Sequence, residues 1–142
     1  METPFQGKFI KVVTEGRWEY VQRVNSTGAL VIIPVTRDEE IIFVQQYRIP
    51  LHRDTIEFPA GLIGDTRTNE TPEQAARAEL LEETGYKAKY IEEVAYGCVS
   101  PGLCDECIYI YLATDCVKAD KGGGDYTENI TVHSVPLSDV EE

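Results

Sequence analysis

A chain of 142 residues with 42% hydrophobic and 27% charged content has the make-up of one globular domain with a real core. Its formal net charge of −12 argues against nucleic acid as a partner, since non-specific binding there runs on Lys and Arg. No stretch approaches the length of a transmembrane helix, and the first eleven residues hold no apolar signal core, so a cytoplasmic protein with no membrane partner and four reduced cysteines is expected.

In chain order, residues 8–13 and 18–24 read as strands around a Glu15-Gly16 turn, an N-terminal hairpin within residues 1–25. Trp18, the only tryptophan, either packs on a sheet face or offers a flat ring for a base to stack on. Residues 28–35 are an apolar, β-branched run fit for a central strand. Residues 36–39 form a turn, and residues 41–46 complete a second hairpin. Arg48 follows at the strand end. Its planar guanidinium suits bidentate phosphate recognition, and it is equally readable as a surface Arg.

The next element is the best punctuated of the chain. Thr71 stands at N-cap, Pro72 at the first helical position, and Gln74 completes a capping box. Gly85 sits where a left-handed closing residue is wanted, so the helix is predicted over residues 72–84. At about 100° per residue, Glu79, Glu82 and Glu83 fall within roughly a 100° sector, while Leu80 and Leu81 point elsewhere and can anchor the helix. Carboxylates this close repel one another. A hard divalent cation relieves that repulsion; a solvated acidic face is the other reading.

Beyond the helix, residues 88–99 read as a long strand bent at Gly97, and Ser100-Pro101-Gly102 breaks the chain. Residues 107–113 form another strand. Cys104 and Cys107 make a C-x-x-C, but a zinc site needs a second ligand pair and a redox motif precedes a helix, so core or loop thiols are expected. Residues 121–125 are a glycine-rich, mobile connector leading to a strand at residues 130–135. A short helix then starts near Ser138, its expected cap.

Gly64, Glu70, Glu79, Leu80, Glu82, Glu83, Gly85 and Tyr86 stand at the spacing G-x5-E-x7-R-E-U-x-E-E-x-G-U, U being a bulky apolar residue, and the stretch resembles the Nudix box. Ala78 takes the place of the box arginine, and Arg77 lies about 100° further round the helix. Glu57-Phe58-Pro59-Ala60-Gly61 is similar to the E-x-P-A-G run of the ADP-ribose pyrophosphatase branch. On that alignment Gly61 opens the box (residues 61–86) and the loop before Glu70 carries three extra residues.

The resemblance implies a single Nudix domain over residues 1–142: an α/β/α sandwich with a mixed sheet and an added N-terminal antiparallel hairpin. It implies two or three Mg²⁺ (or Mn²⁺) ions on Glu79, Glu82, Glu83 and the main-chain oxygen of Ala60. Trp18 would stack on the base in a homodimer with an exchanged N-terminal sheet. Arg48 would contact the diphosphate or terminal sugar, Glu57 the base or a ribose hydroxyl, and Gly61 would let phosphates approach the backbone. Asp105-Glu106, after Ser100-Pro101-Gly102, would line the pocket, and Glu128 or Glu82 would take the proton. The implied reaction is hydrolysis of the diphosphate bond of a nucleoside diphosphate linked to another moiety, with ADP-ribose giving AMP and ribose 5-phosphate. An NDP-sugar or dinucleoside polyphosphate substrate, or a metabolite sensor that binds without hydrolysis, are the alternatives.

Overall fold

The computed structural model describes residues 1–64, 69–124 and 129–140. The first three strands, β1 (Glu2–Gln6), β2 (Ile10–Glu15) and β3 (Trp18–Arg23), form an antiparallel sheet of their own. The predicted hairpin is β2–β3, turning at Gly16 with a φ of 60°. β1 adds a third strand that sequence pattern hid: it is exposed throughout and contains Pro4, which a sheet tolerates at its edge.

The second sheet holds β4 (Gly28–Thr36), β5 (Glu40–Arg48), β6 (Arg53–Glu57), β7 (Ala60–Ile63), β8 (Tyr86–Lys87), β9 (Tyr90–Cys98), β10 (Cys107–Lys118) and β11 (Thr131–Pro136). Its backbone order is β11-β5-β4-β10-β8, with β6 paired to β5, β7 to β4 and β9 to β10. β4 and β10 run parallel and the other pairs antiparallel, so the sheet is mixed as expected. β10 outruns its predicted end at residue 113. A bulge absorbs Thr114 and Asp115, the latter at a φ of 53°, and pairing resumes at Cys116.

The acidic helix begins as read. Gln74 N donates to Thr71 Oγ1 at 3.2 Å, and Thr71 N donates to Gln74 Oε1 at 2.9 Å. It does not stay α-helical to its end. α1 covers Pro72–Glu79, and Leu80–Thr84 form a wider π turn closed by Gly85 at a φ of 74°. Ala75, Ala76 and Leu80 enter the core against Leu30, Ile32, Ile63, Tyr111 and Ala113 of the sheet. Leu80 is fully buried, an anchor worth about 2 kcal/mol by burial alone. Among the described residues α1 and its π turn are the only helix longer than three residues. Near the C-terminus a single 3₁₀ turn, Leu137–Asp139, takes the place of the helix expected there. Ser138 lies inside it and bonds Asp139 instead of capping.

The expectation of four reduced thiols is corrected. Cys98 and Cys107 are joined by a disulfide, their Cα atoms 3.9 Å apart. They sit directly opposite on β9 and β10, beside the pair that Val99 N and Glu106 O bond at 3.1 Å. They therefore occupy a non-hydrogen-bonded position, where side chains of neighbouring strands lie closest. Cys107 thus pairs across the sheet and not with Cys104. Cys104 and Cys116 remain free, and burial pushes the Cys116 thiol up to about 11.

Candidate active site

β7 runs across the end of the acidic helix, and the two elements hold each other through the predicted residues. Ala60 N donates to Glu83 Oε2 at 3.1 Å. Glu83 is 4% exposed, a depth at which a carboxylate needs a donor. Glu79, one turn earlier, lies over the α-carbon of Gly61: a Cβ there would stand 2.5 Å from both Glu79 Cγ and Oε1. At Gly61, which the resemblance implies lets phosphates approach the backbone, the missing side chain leaves room for Glu79. Gly64 does different work. At a φ of 78° it turns its N–H to Glu70 Oε1 at 3.2 Å and closes the start of the box loop.

Glu79, Glu83, Ala60 and Gly61 form one wall of a cavity of about 380 Å³. Glu82 stands on the same π turn but is exposed and off this wall. Arg48, Gln46 and Arg23 also line the cavity, so acidic and basic residues share one small volume. Two anionic groups face two guanidiniums there, which is the charge layout that cation-assisted phosphate binding asks for.

Arg48 is itself positioned. Its Nε and Nη2 donate to Glu57 Oε1 and Oε2 at 2.8 and 2.6 Å, and the Thr55 hydroxyl donates to Glu57 Oε1 at 2.5 Å. The hydrogen bonds from Arg48 hold the Glu57 carboxyl below the usual carboxylate range, against desolvation that raises it and with help from Thr55. Both Glu57 oxygens therefore accept from Arg48 or Thr55, and of Glu57 and Arg48 it is Arg48 that lines the cavity.

Arg23 was not singled out by sequence reasoning, although it ends β3, the second strand of the predicted hairpin. Its Nε pairs with Glu106, and its neighbour Gln22 donates to Asp105 Oδ2 at 2.5 Å. Arg23 also borders a second hollow of about 370 Å³, lined by Lys11, Thr27, Tyr96, Tyr109, Asp105 and Glu106. The segment after Ser100-Pro101-Gly102 thus lines this second hollow and not the glutamate cavity, with Arg23 common to both. Trp18 lies elsewhere: it is 55% exposed and borders a third hollow with Tyr20, Pro101 and Cys104. One chain does not bring it to the glutamates. Arg77 does not replace the missing box arginine, because it donates to Glu73 Oε1 at 2.9 Å and to Ala88 O at 3.2 Å. Glu128 lies outside the described residues.

Among the described residues no three His, Cys, Asp or Glu are drawn together tightly enough to hold an ion by themselves. Mg²⁺ is usually bound by one or two carboxylates plus substrate phosphates and waters. Glu79 and Glu83, with the Ala60-Gly61 backbone between them, fit such a shared site.

The NUDIX domain profile matches residues 26–142. The chain is 36% identical over 145 aligned positions to an ADP-ribose pyrophosphatase of Bacillus subtilis, covering 97% of this chain and 77% of that protein. It is 37% identical over 114 positions to an ADP-sugar pyrophosphatase of Mus musculus, covering 75% of this chain and 50% of that one. A crystal structure of an ADP compounds hydrolase superposes with a TM-score of 0.77 at 23% identity, covering 97% of this chain and 76% of its own, and shows the same fold. With a matched profile over most of its length and two glutamates of its box, Glu79 and Glu83, on one cavity, the chain belongs to the Nudix family and is a Nudix hydrolase.

Proposed function

We propose that this single-domain enzyme hydrolyses the diphosphate bond of ADP-ribose in the cytoplasm, releasing AMP and ribose 5-phosphate. The observation that carries the reading is the cavity that faces Glu79 and Glu83 with Arg23 and Arg48. Glu79, Glu82, Glu83 and the main-chain oxygen of Ala60 would hold Mg²⁺ or Mn²⁺. When bound, the cation supplies charge neutralisation for the diphosphate and acidifies an attacking water. A protein of net charge −12 otherwise repels this substrate.

Arg48, fixed by Glu57, and Arg23, fixed by Glu106, hold the two ends of the diphosphate region. The hollow beyond Arg23 gives the nucleoside half a place beside the Tyr96–Tyr109 ring pair, whose centroids are 4.6 Å apart. Glu128 takes the proton from the attacking water, with Glu82 as the other candidate. Trp18 completes the base site from a partner copy in a homodimer, consistent with the exposed Phe5, Phe9 and Trp18 of the N-terminal sheet.

The deciding experiment is a panel of ADP-ribose, NDP-sugars and dinucleoside polyphosphates, scored by phosphatase-coupled phosphate release with and without Mg²⁺. ADP-ribose should turn over fastest, and only with the cation. Binding of ADP-ribose without turnover would make the protein a sensor. Faster hydrolysis of an NDP-sugar would move the substrate. Glu128→Gln should lower kcat more than it raises KM, and light scattering should give twice the chain mass.

A further inference from the structure

The last carbonyls of a helix have no partner within it. In this chain each finds one, and most of the donors come from one short strap, residues 118–124. Leu81 O accepts from Gly85 N at 2.8 Å, Glu82 O from Gly124 N at 3.0 Å, and Glu83 O from Gly123 N at 2.8 Å. Thr84 O accepts from the Lys118 ammonium at 2.6 Å. The same ammonium donates to Lys121 O at 3.1 Å, tying the strap to itself. Gly85 O accepts from Ala119 N and Asp120 N at 2.8 and 2.9 Å.

Strap and helix end touch backbone to backbone. A Cβ on Gly122 would stand 2.6 Å from Gly85 N and 2.7 Å from Thr84 O, and one on Gly85 would stand 2.9 Å from Gly122 N. Both glycines have φ above 70° or at it, so each is required by conformation as well as by space.

Two of the bonded carbonyls belong to Glu82 and Glu83. The two peptide planes that flank a Cα together set the direction of its Cα–Cβ bond, and the planes on both sides of Glu83 carry bonded carbonyls, so the strap's bonds bear on where that side chain is aimed. The point matters at this turn because it is π-helical, and a π turn inside an α-helix strains the regular ladder. The turn is also the negative end of the helix dipole, and it carries three carboxylates nearby. Lys118 brings a cation to that end without facing the cavity.

We propose that Lys118 and the strap it organises are a positioning device for Glu83, a ligand of the proposed cation site, and for its neighbour Glu82, acting through those residues' own main-chain carbonyls. The proposal rests on the cation site argued above. It is tested by titrating Mn²⁺ calorimetrically into the wild-type protein, Lys118→Met, Lys118→Arg and Gly122→Ala, with melting temperature read in parallel. Lys118→Met leaves the backbone unchanged and remains informative if Gly122→Ala costs too much stability. Mn²⁺ should bind Lys118→Met and Gly122→Ala about 10-fold more weakly, the size of a typical supporting-residue effect, while Lys118→Arg retains most of the affinity. A lower melting temperature with unchanged Mn²⁺ affinity would overturn the proposal and leave the strap an ordinary helix cap. Failure of the wild-type protein itself to bind Mn²⁺ would instead bring down the cation site.

Discussion

Gly61→Ala separates catalysis from folding in this protein. The added methyl would stand 2.5 Å from Glu79 Oε1, where ordinary contact begins near 3.4 Å, so the carboxylate must retreat by about 1 Å. The fold has little to lose. Gly61 lies in β7 with a φ outside the left-handed region, so alanine fits the backbone, and what must yield is the Glu79 side chain from Cγ outward, with no backbone atom among the nearest neighbours. Alanine also reduces the freedom of the unfolded chain, a gain of about 0.4–1 kcal/mol that offsets the rearrangement. The melting temperature should therefore move by only a few degrees. The reaction has much to lose, because a displacement of about 1 Å at a reacting centre costs on the order of 100-fold. That is roughly 2.7 kcal/mol of transition-state stabilisation. The assay is coupled phosphate release from ADP-ribose in saturating Mg²⁺, beside a thermal melt. Gly97→Ala is the control, since nothing lies within 4 Å of a Cβ there. A Gly61→Ala enzyme within twofold of wild-type kcat/KM would refute the claim that Glu79 must sit on Gly61.

Other substitutions probe the same frame. Glu83→Gln keeps an oxygen for Ala60 N and should fold normally, yet lose about 100-fold in kcat, or roughly 2.7 kcal/mol, in the same coupled assay. Glu57→Gln should raise KM about 10-fold by releasing Arg48, with a smaller effect on kcat; the reverse pattern would place Glu57 at the chemistry. The Glu57 carboxyl is held low in the folded protein, so the unfolded chain binds its proton first as pH falls. The stabilisation is fully present above the unfolded value of about 4.3 and is lost as pH falls through the folded value. Urea midpoints of wild type and Glu57→Gln should therefore differ by a constant amount from neutral pH down to about 5 and converge under stronger acid. Thr71→Ala removes the capping-box acceptor and should cost about 1 kcal/mol, read by urea denaturation with activity retained. Alkylation of the native, unreduced protein should label Cys104 alone, with Cys116 protected by its depth, and mass spectrometry after unfolding and reduction should find four reactive thiols.

Local signals were legible and long-range partnerships were not. The start of the acidic helix could be read because a capping box is written within four residues, and it formed as read. The π turn was not legible, since propensity scales do not distinguish it from one more α turn, and the groups its end bonds, Ala60 N of β7 and the strap amides of Gly123 and Gly124, lie far away in sequence. Arg48 and Glu57 were both expected at the substrate. Their mutual bond depends on the register of β5 on β6, which places Arg48 opposite Arg53 and Val44 opposite Glu57. Arg23 escaped because its partner Glu106 lies 83 residues away. The disulfide escaped for a related reason: compartment argued for thiols, and only the pairing of β9 with β10 put Cys98 opposite Cys107.

Arg23 belongs to the N-terminal sheet, whereas the NUDIX profile begins at residue 26. One flank of the cavity is thus built by a segment outside the matched profile. Under the proposed function, selection can recarve that flank, and with it the choice of cargo, while Glu79, Glu83 and their supports stay as they are.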